Sequence, residues 1–187
     1  SIMSPYIKSS EKMDLIVKNW QVLADRYNGK FGNIVSKFSA ILDPVDNLYR
    51  RFELKLALDG EVFLFTSSEN RYFKFECELK YAVDIQLEIN REDLFEKVSK
   101  FLGMQDIELG NAEIDDKYII KSNEPDFIQS LLDSKIQEYF LNISLYSLSV
   151  ESNAATKVMI MPYIHEDDVI EMENFIDFIR YFIRKLK

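Results

Sequence analysis

The strongest constraint on this chain is a period of two that starts at Arg51 and holds for almost forty residues. Phe52, Leu54, Leu56 and Leu58 alternate with Glu53, Lys55 and Ala57. Asp59-Gly60 follows, a dipeptide suited to a two-residue hairpin because both positions tolerate positive φ. The chain returns through Glu61–Thr66, where Val62, Phe63, Leu64 and Phe65 are apolar on both faces, and turns again at Ser67–Asn70. Phe73, Phe75, Cys77 and Leu79 then alternate with Lys74, Glu76, Glu78 and Lys80. Val83, Ile85, Leu87 and Ile89 do the same with Asp84, Gln86 and Glu88. Side chains on a strand point to opposite faces in turn, so the pattern predicts an antiparallel meander with one buried and one wet face. Opposite charges on the wet face can pair across strands.

Around this block the period changes to between three and four. Met13, Ile16, Val17, Trp20, Leu23, Ala24 and Tyr27 predict a helix with one apolar stripe, started by Ser10 and stopped near Gly29, with Trp20 as a core anchor. Ile34, Val35, Phe38, Ile41 and Leu42 predict a shorter second helix bounded by Pro44. Asn90–Asp93 would cap a third, carrying Leu94, Phe95, Val98, Phe101 and Leu102 and ended by Gly103. After Pro125, Phe127, Ile128, Leu131 and Leu132 form a stripe; Ser134-Lys135-Ile136-Gln137 has the capping-box form before Ile136, Tyr139, Phe140 and Ile143. Two strands, Leu145–Glu151 and Thr156–Ile164, come next, with Pro162 marking an edge or a bulge. From about Glu166 a last helix carries Val169, Met172, Phe175, Ile176, Ile179, Phe182, Ile183 and Leu186. Its acidic start and basic end both match the helix dipole. The expected fold is α+β: an antiparallel sheet of about six to eight strands, helices mainly on one face, and long N- and C-terminal helices. Residues 1–187 read as a single domain, with 1–9 as a flexible tail.

Composition narrows the function classes. The net charge of −9 disfavours a nucleic-acid or anionic-membrane binder, which needs a basic face. At 47 % apolar and 13 % aromatic residues the chain can fill a core and is not a disordered segment. Cys77 is the only cysteine, so an internal disulfide and a cysteine-rich metal site are excluded. No apolar run reaches the length of a membrane span and no signal peptide is visible. A cytoplasmic location is expected, or the soluble part of a longer membrane-associated protein, since a chain beginning Ser1-Ile2-Met3 leaves an upstream segment or anchor open.

The least generic stretch joins the strand-rich and helix-rich halves. Gln105–Leu109 is a short alternation stopped by Gly110; Asn111–Lys117 is a polar turn or single helical turn; Tyr118–Lys121 is a short strand. Ser122-Asn123-Glu124-Pro125 starts a helix, with Pro125 at its first position. Asp106, Glu108, Glu113, Asp115 and Asp116 crowd this stretch. Hard cations take several carboxylate oxygens, but the spacing of a calcium loop with its central glycine is missing. A solvated acidic turn, with one Asp bonding its own backbone, is the simpler reading.

A helix ending in Phe-Leu-Gly, then Gln-Asp-Ile-x-x-Gly, then Asp-x-x-Tyr-Ile-Ile-Lys-Ser-Asn-x-Pro and a Leu131-Leu132 pair resembles a domain of unknown function common in bacterial proteins. That domain is often found in chains that also carry membrane segments. The likeness spans roughly Leu54–Ser149 and is specific over Gln105–Pro125; Ile114 stands where an aromatic is usual. The resemblance implies a non-catalytic, membrane-associated protein of bacterial origin and carries no catalytic residue with it.

The chemistry-bearing residues agree with that silence. His165 is the only histidine, nothing around a Ser or Cys has the form of a nucleophile elbow, and no zinc-protease, phosphate-loop or dinucleotide motif is present. No catalytic, cofactor-binding or metal-ligating residue is assigned, and no cofactor is expected. Three functions remain: a binding or accessory module whose partner is another protein; a small apolar ligand binder, with the pocket between the sheet and a Phe-rich helix; and a carboxylate hydrolase. The last requires at least three of Asp106, Glu113, Asp115, Asp116, His165 and Asp168 to converge.

Overall fold

The computed structural model describes residues 7–37, 48–94 and 104–187. Its strands are β1 Lys30–Lys37, β2 Leu48–Leu58, β3 Glu61–Ser68, β4 Arg71–Leu79, β5 Leu87–Arg91, β6 Gln105–Asp106, β7 Tyr118–Ser122, β8 Ser144–Ser152 and β9 Thr156–Tyr163. The helices are α1 Ser10–Arg26, α2 Ala112–Lys117, α3 Pro125–Leu131, α4 Ser134–Asn142 and α5 Val169–Leu186. Among the described residues all nine strands form one sheet, ordered β1-β2-β3-β4-β9-β8-β5-β7-β6, every pair antiparallel. The fold is α+β as expected, with slightly more strands than six to eight.

The first hairpin follows its sequence signal. Asp59 and Gly60 sit at φ 55° and 82°, the twist that matches two right-handed strands. The period-two side chains Phe52, Leu54, Leu56, Phe63, Phe65, Phe73 and Phe75 are buried. Helices α1 and α5 cover them: Phe175 meets Phe73, Phe75 and Phe65 at ring separations of 5.7, 6.2 and 6.3 Å, and Trp20 meets Phe73 at 5.8 Å. One turn further along α5, Phe178 lies 5.9 Å from Phe140 of α4, which in turn lies 5.8 Å from Tyr118 of β7. Helix α5 therefore ties the two halves of the sheet into one core.

The meander does not run on from β4 to β5. The hairpin β8–β9 is inserted between them, and the expected strand through Val83 and Ile85 begins only at Leu87. Across that insertion the backbone is satisfied by side chains. The Val83 N–H donates to Thr156 Oγ1 at 2.7 Å, and Ser152 Oγ donates to the Val83 carbonyl and, at 2.9 Å, to that of Ile85. Two hydroxyls at the mouth of the hairpin thus replace a sheet ladder.

The expected helix over Ile34–Leu42 is also corrected. Ile34–Lys37 continue edge strand β1 against β2, with Ile34 opposite Arg51, and Phe38–Leu42 lie outside the described residues. Pairing with a long preformed partner strand overrides a short helical spacing. The helix over Leu94–Leu102 falls outside the described residues apart from Leu94, which closes a 3-10 turn begun at Glu92. Smaller shifts concern caps: α1 is capped by Ser9, α4 by Asp133 and α5 by Asp168, each side chain accepting from backbone N–H groups of the first turn. Helices α3 and α4 are separate. Lys8, placed in the tail by sequence, is 6 % exposed.

Candidate functional site

The site begins with a proline near the end of β9. Pro162 has no N–H to give; it faces Leu145 of β8, while the pairing of β9 with β4 stops at Phe75–Ile160. The ladder accommodates it with a bulge: Leu145 faces Pro162, Ser147 faces Met161, and Tyr146 is the extra residue. The bulge brings Tyr146 against Tyr163, at 5.3 Å and 82°, and against Tyr72 of β4, at 5.9 Å and 55°. Tyr72 and Tyr163 remain 38 % and 62 % exposed, while the Arg91 guanidinium lies 5.8 Å from the Tyr146 ring. These rings form one wall of a cleft of about 470 Å³.

The floor is ionic. Lys8 Nζ donates to the Ser68 carbonyl at 2.5 Å and to that of Arg71, and lies 3.8 Å from Glu166 Oε1. Lys12 Nζ is 3.5 Å from Glu166 Oε2, and Ser67 Oγ donates to Oε1 at 3.3 Å. The side chains of Lys8 and Glu166 are both 5 % exposed. Burial pulls the Lys8 ammonium below the ordinary lysine pKa; Glu166 opposes this and Lys12 adds to it. The backbone of this corner is held by Trp20 Nε1, which donates to the Glu166 carbonyl at 2.8 Å, and by Asn19, which donates to that of Asp167. Burial, and then Tyr163 and Tyr72, raise the Tyr146 phenol above its ordinary pKa.

The rim holds His165, exposed, whose backbone N–H donates to Glu171 Oε2 at 3.2 Å. Asp168 is engaged as the α5 cap, accepting from Ile170 and Glu171 at 2.8 and 3.1 Å. The acidic stretch lies elsewhere, on the β6–β7 edge. Asp115 accepts from the Leu109 and Gly110 N–H groups at 2.8 and 3.0 Å, Asp106 pairs with Lys121 at 2.8 Å, and Glu108, Glu113 and Asp116 are exposed. The convergence that a carboxylate hydrolase requires is not formed: Asp115 serves its own turn, Asp168 the α5 cap and Asp106 a surface pair, and Glu113 and Asp116 stand exposed. Among the described residues no three His, Cys, Asp or Glu side chains gather as metal ligands would. Cys77 is buried under the sheet, and burial followed by the nearby Glu61 pushes its thiol up to about 12.

Sequence reasoning missed the cleft. Tyr72, Tyr146, Tyr163 and Lys8 were not singled out, although Leu145-Tyr146-Ser147-Leu148 breaks the period of two opposite Pro162 and so signals a bulge.

Neither a family model nor a curated protein matches the chain. Among solved structures, the chain is similar to the mycobacterial trehalose monomycolate transport factor A, with a TM-score of 0.61 over 92 % of this chain and 94 % of that one, at 12 % identity. At that identity the likeness is one of fold.

Proposed function

We propose that this chain is a non-catalytic accessory module, a single bacterial domain that acts by binding another protein, and that the tyrosine-walled cleft is where it binds. The observation that carries this is the contrast within the cleft. Its buried charges are engaged with one another, while the rings of Tyr72 and Tyr163 stand exposed against Tyr146, the extra residue of the bulge. Aromatic side chains presented at a rigid concave site are typical binding anchors. The fold neighbour is described as a transport factor, which is a role compatible with an accessory protein. The resemblance of Gln105–Pro125 to a bacterial domain found beside membrane segments points the same way; the chain would then be cytoplasmic or the soluble part of a membrane-associated assembly.

The test is affinity capture from the protein's own cell lysate at moderate salt, run beside a Tyr72→Ala/Tyr163→Ala variant. A partner held by the wild type and lost by the folded variant supports the proposal. No stable partner, or one held equally by both, refutes it.

The cleft also favours a second reading, a small-ligand binder, because about 470 Å³ lies in the ~300–1,000 Å³ range of ligand sites. The cleft opens beside the packing of the sheet on the Phe-rich helix, where Phe65, Phe73, Phe75 and Phe175 lie ring against ring and Phe73 also lines the cleft. Native mass spectrometry of freshly purified protein showing a retained mass would support this reading.

A further inference from the structure

The balance of charge at the cleft runs against that of the molecule. The chain carries a net charge of −9, yet Lys8, Lys12 and Arg71 line this cleft beside two carboxylates, Glu166 and Glu171. Glu166 is turned inward, shared by Lys8, Lys12 and Ser67, and Glu171 accepts the His165 N–H. The acids are therefore committed to the scaffold. Lys12 is not committed to the same degree. Its ammonium stands 3.5 Å from Glu166, beyond a good hydrogen bond, and its side chain is 23 % exposed. It can turn toward an incoming anion while Lys8 keeps Glu166 paired.

We infer that the cleft selects a small organic anion built on a flat ring, with the ring against Tyr72 and Tyr163 and the acid group meeting Lys12. A cationic ligand would face the lysines, and the Tyr146 face is already met by Arg91. An uncharged ring would gain the stacking wall and nothing from the basic side. A flat anion uses both, in a concave site where charge-assisted hydrogen bonds are stronger than in open water. The inference rests on the second reading of the cleft, as a small-ligand site, and specifies what it would bind.

Two fluorescent probes separate the alternatives: 1-anilinonaphthalene-8-sulfonate and N-phenyl-1-naphthylamine, which share their rings and differ in the sulfonate. The expected result is one site per chain, with the sulfonate bound at least about tenfold more tightly, equivalent to ~1.4 kcal/mol. Lys12→Gln should remove most of that preference and leave the uncharged probe unchanged. Tyr72→Ala/Tyr163→Ala should weaken both probes, with near-ultraviolet circular dichroism confirming that each variant is folded. Equal binding of the two probes by the wild type overturns anion selection and leaves the cleft a binding site. Sulfonate binding that survives the double tyrosine substitution places the probe elsewhere and also overturns the inference. Failure of both probes to bind overturns it together with the small-ligand reading, whereas partner capture stands or falls on its own result.

Discussion

Glu166→Gln isolates the electrostatics of the cleft floor. The substitution keeps the shape of the side chain and an acceptor for Ser67, but leaves the Lys8 ammonium, 5 % exposed, without its opposite charge. Breaking a buried ion pair from one side costs about 3–5 kcal/mol. Lys8 retains the carbonyls of Ser68 and Arg71, so the lower end, ~3 kcal/mol, is expected at pH 7. For a chain of this length that is roughly a 6–12 °C fall in Tm. The loss should depend on pH in a defined direction. Burial already holds the Lys8 pKa below its unfolded value, and Glu166 is the group that opposes this. Between the folded and unfolded pKa the unfolded chain binds more protons, so stability rises with pH across that window. Without Glu166 the folded pKa drops further and the window opens toward neutrality. Urea unfolding at pH 7 and pH 9 should therefore show the deficit shrinking at the higher pH. Lys8→Met placed in the Glu166→Gln background should recover most of it, because the uncompensated charge is gone. If the deficit is the same at both pH values, or the two substitutions add to within ~0.5 kcal/mol, the two groups are not coupled and the argument fails.

Four further outcomes follow from single contacts. Asp133→Asn should cost about 1–2 kcal/mol, since Asp133 caps α4 and accepts from Tyr181 at 2.6 Å and Lys185 at 2.7 Å. Burial alone would raise its pKa, but these hydrogen bonds outweigh it and hold the carboxyl at about 2. Its contribution is thus full above the unfolded pKa of ~3.9 and lost as pH falls toward the folded value, a drop that acid titration should find smaller in the Asn variant. Phe175→Ala should cost about 3–5 kcal/mol by denaturant unfolding, because three sheet phenylalanines lose their common partner. Gly29→Ala should destabilise by ~1–3 kcal/mol in thermal melts, as a Cβ there would stand 2.6 Å from the Lys55 carbonyl oxygen and press on Leu56. Cys77, buried and with its thiol pushed up to about 12, should resist a thiol-specific reagent at pH 8 in the native state and react once urea unfolds the chain.

Much of the sheet was legible because strand pairs close in sequence carry their register with them. Asp59-Gly60 set the first hairpin, and the alternation of Phe52 to Leu56 with charged residues told which face is buried. The short helix at Asn111–Lys117 and the strand at Tyr118–Ser122 followed from a polar turn and a β-branched run. Errors arose where a local spacing had two physical solutions. Ile34 and Val35 suit a helix stripe or an edge strand, and the long strand β2 decided between them. Ser134 and Asp133 both offer a capping oxygen, and the Ile136 N–H points at Asp133.

The cleft was illegible for a different reason: it belongs to no local segment. It joins residues near positions 8–12, 70–73, 146 and 162–171, which meet because β4 takes β9 as its neighbour and not β5. A period of two says which face of β4 is buried and nothing about which strand lies beside it. What marks the choice is a pair of hydroxyls. Ser152 and Thr156 bond the backbone around Val83 and Ile85, releasing that segment from the ladder so that the β8–β9 hairpin can enter. Beyond the last β4–β9 pair, Pro162 stands opposite the bulge at Tyr146, and three tyrosines gather around one opening. The tyrosine wall thus follows from the strand order and from the bulge opposite Pro162, and the sequence trace of it lies in Pro162 and Tyr146 more than in the many carboxylates.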